Sequence, residues 1–189
     1  MKPLILASQS PRRQQLLQMV QLPFCAVKPE SDEVLDLSLG LPAAIEEIAR
    51  QKAKEVFLKH KEALVLAADT VVVLNGEILG KPRDEAEALR MLMKISGKTH
   101  QVITSVCLMD DRKTEVFSSI TEVVMRAYGE AEASAYVQTK EVLDKAGAYA
   151  IQGLGALLVE KINGDYYTVM GLPLAETVAR IKAREEVET

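Results

Sequence analysis

Apolar positions recur along this chain in two rhythms, and each change of rhythm marks a new element. Residues 4–7 form a short unbroken apolar run, the pattern of a buried strand. A turn at Ser8-Gln9-Ser10 follows, with Ser10 suited to a helix N-cap and Pro11 to the first helical position. The spacing of Leu16, Leu17 and Val20 predicts a helix to about residue 21. Residues 23–28 read as a second strand. Residues 29–40 are polar and turn-rich, with acids at Glu30, Asp32, Glu33 and Asp36. Pro42 opens a long helix to about residue 60, whose inner face carries Ile45, Ile48, Ala49, Lys52 and Val56.

Residues 63–74 are a nearly continuous apolar run, broken only by Asp69 and Thr70. Asn75-Gly76 is a strong hairpin signal, and 77–79 begins the return strand. Gly80-Lys81-Pro82 breaks the chain. Asp84 with Glu87 resembles a capping box, opening a helix that Gly97 ends. Two strands over 100–109 and 114–126, joined at Asp110-Asp111, read as an antiparallel pair. A short helix over 129–139 and a glycine-bearing loop over 144–155 come next. Strands over 157–162 and 166–170 are expected around Asn163-Gly164-Asp165, and a helix from 174 to about 183 closes the chain. These elements predict an α/β protein with a mixed sheet and flanking helices rather than an alternating doubly wound fold.

Composition narrows the function. The chain has 189 residues, 48% of them hydrophobic, enough for a sizeable core in one domain. Its net charge of −4, 4% aromatic content and lack of tryptophan argue against a nucleic-acid partner. Cys25 and Cys107 are far apart and His60 and His100 lack HExxH spacing, so a structural zinc site is not expected. Both cysteines sit among apolar residues and are expected to be buried, and their small number fits a reducing compartment. No run reaches the ~20 apolar residues of a membrane span, and the first apolar run is too short for a signal core. A cytoplasmic protein is expected. Neither GxxxxGK[ST] nor GxGxxG occurs.

Three places break the local rules. Arg12 and Arg13 put cations in the first turn of a helix, at the positive end of its dipole. With the free N–H groups there and the hydroxyls of Ser8 and Ser10, they make an anion site; otherwise both arginines simply reach into solvent. Lys52 lies on an apolar stripe, where it either snorkels to the edge or meets an anion; because the stripe is apolar, Lys52→Met is expected to preserve stability or improve it. Asp69 interrupts a buried strand. It is either a structural partner of Lys52 or Lys81, or a general base or metal ligand. Lys81 stands in a rigid turn, Glu33 in the acidic loop, and Gln152 before a turn glycine where an amide could read a base edge. His100, before a strand, is expected to be satisfied by backbone. Cations and carboxylates from several segments suit phosphoryl chemistry with a divalent metal.

Seven segments in order carry a family resemblance: Leu6-Ala7-Ser8-Gln9-Ser10-Pro11-Arg12-Arg13, Ala49-Arg50-Gln51-Lys52-Ala53, Ala67-Ala68-Asp69-Thr70, Gly80-Lys81-Pro82, Ser96-Gly97-Lys98-Thr99-His100, Asp144-Lys145-Ala146-Gly147-Ala148-Tyr149 and Gly171-Leu172-Pro173. Together they resemble the Maf proteins from residue 4 to about 180. The resemblance implies a single two-lobed α/β domain around a central cleft, similar to the inosine triphosphate pyrophosphatases and often dimeric, so a homodimer is expected. It implies hydrolysis of a nucleoside triphosphate between the α and β phosphates with Mg²⁺ or Mn²⁺. The family's general base falls on Asp69 and its selectivity positions on Arg12, Thr70 and Gln152. Phosphate and metal contacts fall on Ser8, Arg13, Glu33, Lys52 and Lys81, with Glu33 and Asp69 as the metal carboxylates. Ile151-Gln152-Gly153 resembles the branch acting on dTTP and UTP, with modified pyrimidine nucleotides as further substrates, and the family is linked to septum formation and cell-division arrest.

Overall fold

A computed structural model describes residues 2–30 and 35–186. The chain forms two compact units. The first contains residues 1–69, 104–119 and 171–189, and the second contains 70–103 and 120–170. Among the described residues the sheet has seven strands, in the order β2-β1-β3-β5-β6-β7 with β4 paired to β3.

In the first unit, β1 (Leu4–Ala7) is buried at every position, as a parallel strand covered on both faces must be. It pairs in parallel with β2 (Cys25–Val27), Ile5 facing Cys25, and with β3 (Leu64–Leu74), Leu4 facing Leu64. Helix α1 (Pro11–Met19) connects β1 to β2. Gly40, at φ 79°, opens α2 (Leu41–Lys59), which buries Ile45, Ile48, Ala49, Lys52, Ala53 and Val56. Ala49, Ala53 and Val56 pack with Ile5, Ala7, Val65 and Ala67. Small side chains on both surfaces bring helix and sheet close together. The closing helix α6 (Leu174–Glu186) is tied down by Arg184, which reaches Asp110 at 3.4 Å and Glu115 at 3.3 Å.

In the second unit, the far half of β3 pairs antiparallel with β4 (Glu77–Leu79) across the Asn75-Gly76 turn. Helix α3 (Glu85–Ile95) is capped by Asp84, whose carboxylate accepts the Glu87 N–H at 2.7 Å. Glu87 returns not to Asp84 but to the Arg83 N–H, also at 2.7 Å. Strands β5 (Thr99–Met109) and β6 (Thr114–Met125), of which residues 99–103 and 120–125 belong to this unit, are neighbours, and β6 pairs antiparallel with β7 (Val159–Asn163). Helix α4 (Glu130–Val137) lies between β6 and β7 in sequence.

Several expectations change. Residues 166–170 form a helix, α5 (Tyr166–Met170), not a strand. The Asp165 carboxylate accepts both the Thr168 N–H at 2.6 Å and the Thr168 hydroxyl at 2.7 Å, and this cap overrides the strand preference of the two tyrosines. Residues 153–158 form 3₁₀ turns, so the following strand starts at Val159. Ser10 occupies the N-cap of α1, yet its side chain makes no capping bond. Cys25 is exposed because β2 is the sheet's edge strand, whereas Cys107 is buried, its thiol pushed up to about 12 by burial.

Candidate active site

The residues expected to act together divide by unit. Ser8, Arg12, Arg13, Lys52 and Asp69 belong to the first, and Thr70, Lys81 and Gln152 to the second. Glu33 lies outside the described residues.

At the end of β1 the chain turns into α1, and Ser8 is buried in that turn. Its oxygen accepts the Ser10 N–H at 3.1 Å and Nη1 of Arg13 at 3.2 Å. Both lone pairs are thereby engaged, so the hydroxyl can make a further bond only as a donor. Arg13 also donates Nε to the Gly171 carbonyl at 2.8 Å. It does not simply reach into solvent; its guanidinium is held across 158 residues of sequence. Arg12 is half-buried beside it. The first turn of α1 contains no acid, and its N-cap side chain leaves the end uncapped. The positive end of this helix therefore carries two guanidinium groups and a hydroxyl donor, an arrangement that suits an anion.

Lys52 and Asp69 meet inside the first unit, Nζ to Oδ1 at 2.8 Å. Alternation along β3 puts Asp69 on the same face as Ala67 and Val65, where α2 packs. Side chains as small as Ala49, Ala53 and Ala67 leave room for lysine to reach the strand. The two side chains are 8% and 11% exposed, so the pair is largely dry but still touches solvent. The partner of Asp69 is thus Lys52, and Lys52 does not snorkel. Because the stripe ends on a carboxylate, Lys52→Met strands a charge, contrary to the expectation from the stripe alone.

In the second unit, Thr70 shares a face of β3 with Val72. Gly147 sits against Val72 so closely that a Cβ there would lie 3.1 Å from a Val72 methyl, and its φ of 70° suits glycine. The Gly147 N–H donates to the Gly80 carbonyl at 3.0 Å. Gly80-Lys81-Pro82 and the loop from Asp144 to Tyr149 are thereby tied together beside the strand carrying Thr70. Lys81 is exposed while Pro82 is buried. Gln152 is half-buried at the start of the 3₁₀ turns, and its side chain does not cap them.

Lys145 was not singled out by sequence. It is 12% exposed and bonded to Asp144 at 2.6 Å, a cation on the loop that holds Gly80. Its signal was the Asp144-Lys145-Ala146-Gly147 run, where glycine and lysine flank one turn. His100 is not satisfied by backbone. Its Nε2 pairs with the Tyr149 hydroxyl at 2.8 Å, and burial lowers its pKa to about 4. Among the described residues, no three His, Cys, Asp or Glu side chains gather as a metal cluster. Among the described residues, no helix is long and apolar enough to cross a membrane.

Residues 3–184 match the family described as Maf-like protein. A dTTP/UTP pyrophosphatase of Halalkalibacterium halodurans is 49% identical over 182 residues, covering 96% of each chain. One of Bacillus velezensis is 46% identical over 181 residues, again covering 96% of each. One of Symbiobacterium thermophilum is 47% identical over 178 residues, covering 94% of this chain and 92% of its own. With its site segments present and matched over nearly their whole length, the chain belongs to the Maf-like family.

Proposed function

We propose that this protein hydrolyses dTTP and UTP to the nucleoside monophosphate and pyrophosphate, the activity for which its relatives are named. The observation that carries the reading is the largely buried Lys52–Asp69 pair at 2.8 Å. A carboxylate held by an ammonium in a dry setting, yet reachable by water, can take a proton from an attacking water. The water oxygen bonds to the α-phosphorus, the bridge to the β-phosphate breaks, and pyrophosphate leaves. Arg13, Lys52 and Lys81 offset phosphate charge, and Ser8 donates its remaining hydrogen. Arg12, Thr70 and Gln152 recognise the nucleoside. Gln152 does so through an amide that matches the O4 acceptor and N3–H donor of thymine or uracil.

Mg²⁺ or Mn²⁺ fits this donor set. Mg²⁺ keeps several waters and takes one or two carboxylates together with substrate phosphates, so no dedicated protein cage is required. Asp69 would supply one carboxylate and Glu33 a second. When bound, the cation would neutralise charge building on the phosphate oxygens. Thymine and uracil differ only by the C5 methyl, so pyrimidines modified at C5 fall in the same proposed substrate class. Clearing such nucleotides as a cytoplasmic homodimer, with a link to septum formation, completes the proposal.

The test is pyrophosphate release from dTTP, UTP, CTP, ATP and GTP with each metal. Release led by dTTP and UTP is expected. Orthophosphate instead of pyrophosphate, or binding of dTTP without turnover, would overturn the reading.

A further inference from the structure

Three residues between 147 and 153 adopt left-handed backbone: Gly147 at φ 70°, Ala148 at φ 63° and Gly153 at φ 61°. For Ala148, which is completely buried, this conformation is sterically unfavourable and persists only if its surroundings impose it. Gln152 lies at the end of this run.

Two tyrosine hydroxyls tie this segment to its surroundings. Tyr149, directly after Ala148, bonds to His100 on β5 at 2.8 Å, with the two rings edge to face at 5.4 Å. Both residues are buried, and Nδ1 of His100 has no hydrogen-bond partner. An orphaned acceptor costs less than an orphaned N–H, which places the hydrogen on Nε2, donating to Tyr149. The one N–H of the imidazole is therefore spent on this contact. Tyr136 on α4 provides the second hold, its hydroxyl accepting the Ala150 N–H at 3.1 Å. Gly155 leaves the room for it: a Cβ there would overlap the Ala150 carbonyl oxygen and lie 2.7 Å from the Tyr136 oxygen.

We propose that Tyr149 and Tyr136 are positioning residues that hold residues 148–153 in this strained course and so set the base selectivity exerted by Gln152. The inference rests on the reading above that Gln152 recognises the base. A core tyrosine with no such role would change stability alone; a positioning tyrosine changes the preference between nucleotides.

The experiment measures kcat/KM for dTTP and ATP, with thermal stability alongside, in Tyr149→Phe, Tyr136→Phe, Gln152→Ala and their pairwise doubles. Each Phe variant is expected to lower the dTTP-to-ATP ratio about tenfold. Neither should lower it further once Gln152 is alanine. Adding Ala148→Gly to Tyr149→Phe should restore much of the ratio, since glycine adopts the left-handed conformation without being forced. An unchanged ratio with a lowered melting temperature in both Phe variants overturns the inference, as does an equal loss in the Gln152→Ala background. If Gln152→Ala itself leaves the ratio intact, base reading by Gln152 fails, and the inference fails with it. If Gln152→Ala lowers the ratio and the Phe variants do not, the inference alone fails.

Discussion

Replacing Lys52 with methionine separates two arguments that give opposite answers. From the apolar stripe of α2, methionine should fit as well as lysine. From the contact it makes, the substitution abandons the Asp69 carboxylate in a largely dry setting. At 2.8 Å and an effective dielectric constant of about 20, the attraction is about 6 kcal/mol before desolvation is counted. Desolvation of both ions offsets much of this while both are present, but removing one partner leaves the other's penalty uncompensated, at about 3–5 kcal/mol. Burying the methionine side chain returns about 1 kcal/mol. The net expectation is a loss of about 2–4 kcal/mol, or about 10 °C in melting temperature for a protein of this size. Asp69→Asn should also destabilise, by stranding the ammonium. The double variant should lose clearly less than the sum of the two singles, and 0.5 M NaCl should hardly change that coupling because the pair is screened from solvent. Urea unfolding of wild type, both singles and the double measures it directly. A wild-type midpoint in Lys52→Met, or strictly additive losses, would show that the pair is not a coupled buried interaction.

Other outcomes follow from the same geometry. Asp69→Asn should retain the far-UV circular dichroism of the folded protein while kcat for dTTP falls at least ~100-fold, and near-normal turnover would remove Asp69 from the mechanism. Arg13→Lys cannot span Ser8 and Gly171 with one planar fork; titration calorimetry should show dTTP affinity falling about tenfold more than dTMP affinity, and equal losses would contradict a phosphate role. Burial lowers the His100 pKa from 6.5 to about 4, so between those values the unfolded chain binds the proton that the folded chain refuses. His100 therefore contributes stability above about pH 6.5, and about 3 kcal/mol of it is lost as the pH falls to about 4. Urea unfolding at pH 7.5 and 4.5 should show this component in wild type and not in His100→Phe.

Much of this molecule can be read along the chain, because local patterns with local causes survive folding. The stripe of α2, the apolar run of β3, the Asn75-Gly76 turn and the Asp84 cap each depend on neighbours within a few residues, and each is present. The misfits Lys52 and Asp69 were legible for the same reason: a charge in an apolar rhythm is visible without coordinates. Their partners were not, since Lys52 and Lys81 were equally available to Asp69 until α2 packed on β3. The hold of Gly171 on Arg13 and of Tyr149 on His100 joins segments far apart in sequence, and no periodicity encodes such contacts. Tertiary structure also decided the helix at Tyr166–Met170, where one carboxylate outweighed the strand preference of two tyrosines, and the exposure of Cys25, whose apolar neighbours do not reveal that its strand is the sheet's edge. Which residue type is out of place is a property of the local sequence. What that residue meets depends on which surfaces pack together, and packing is settled only by the whole chain.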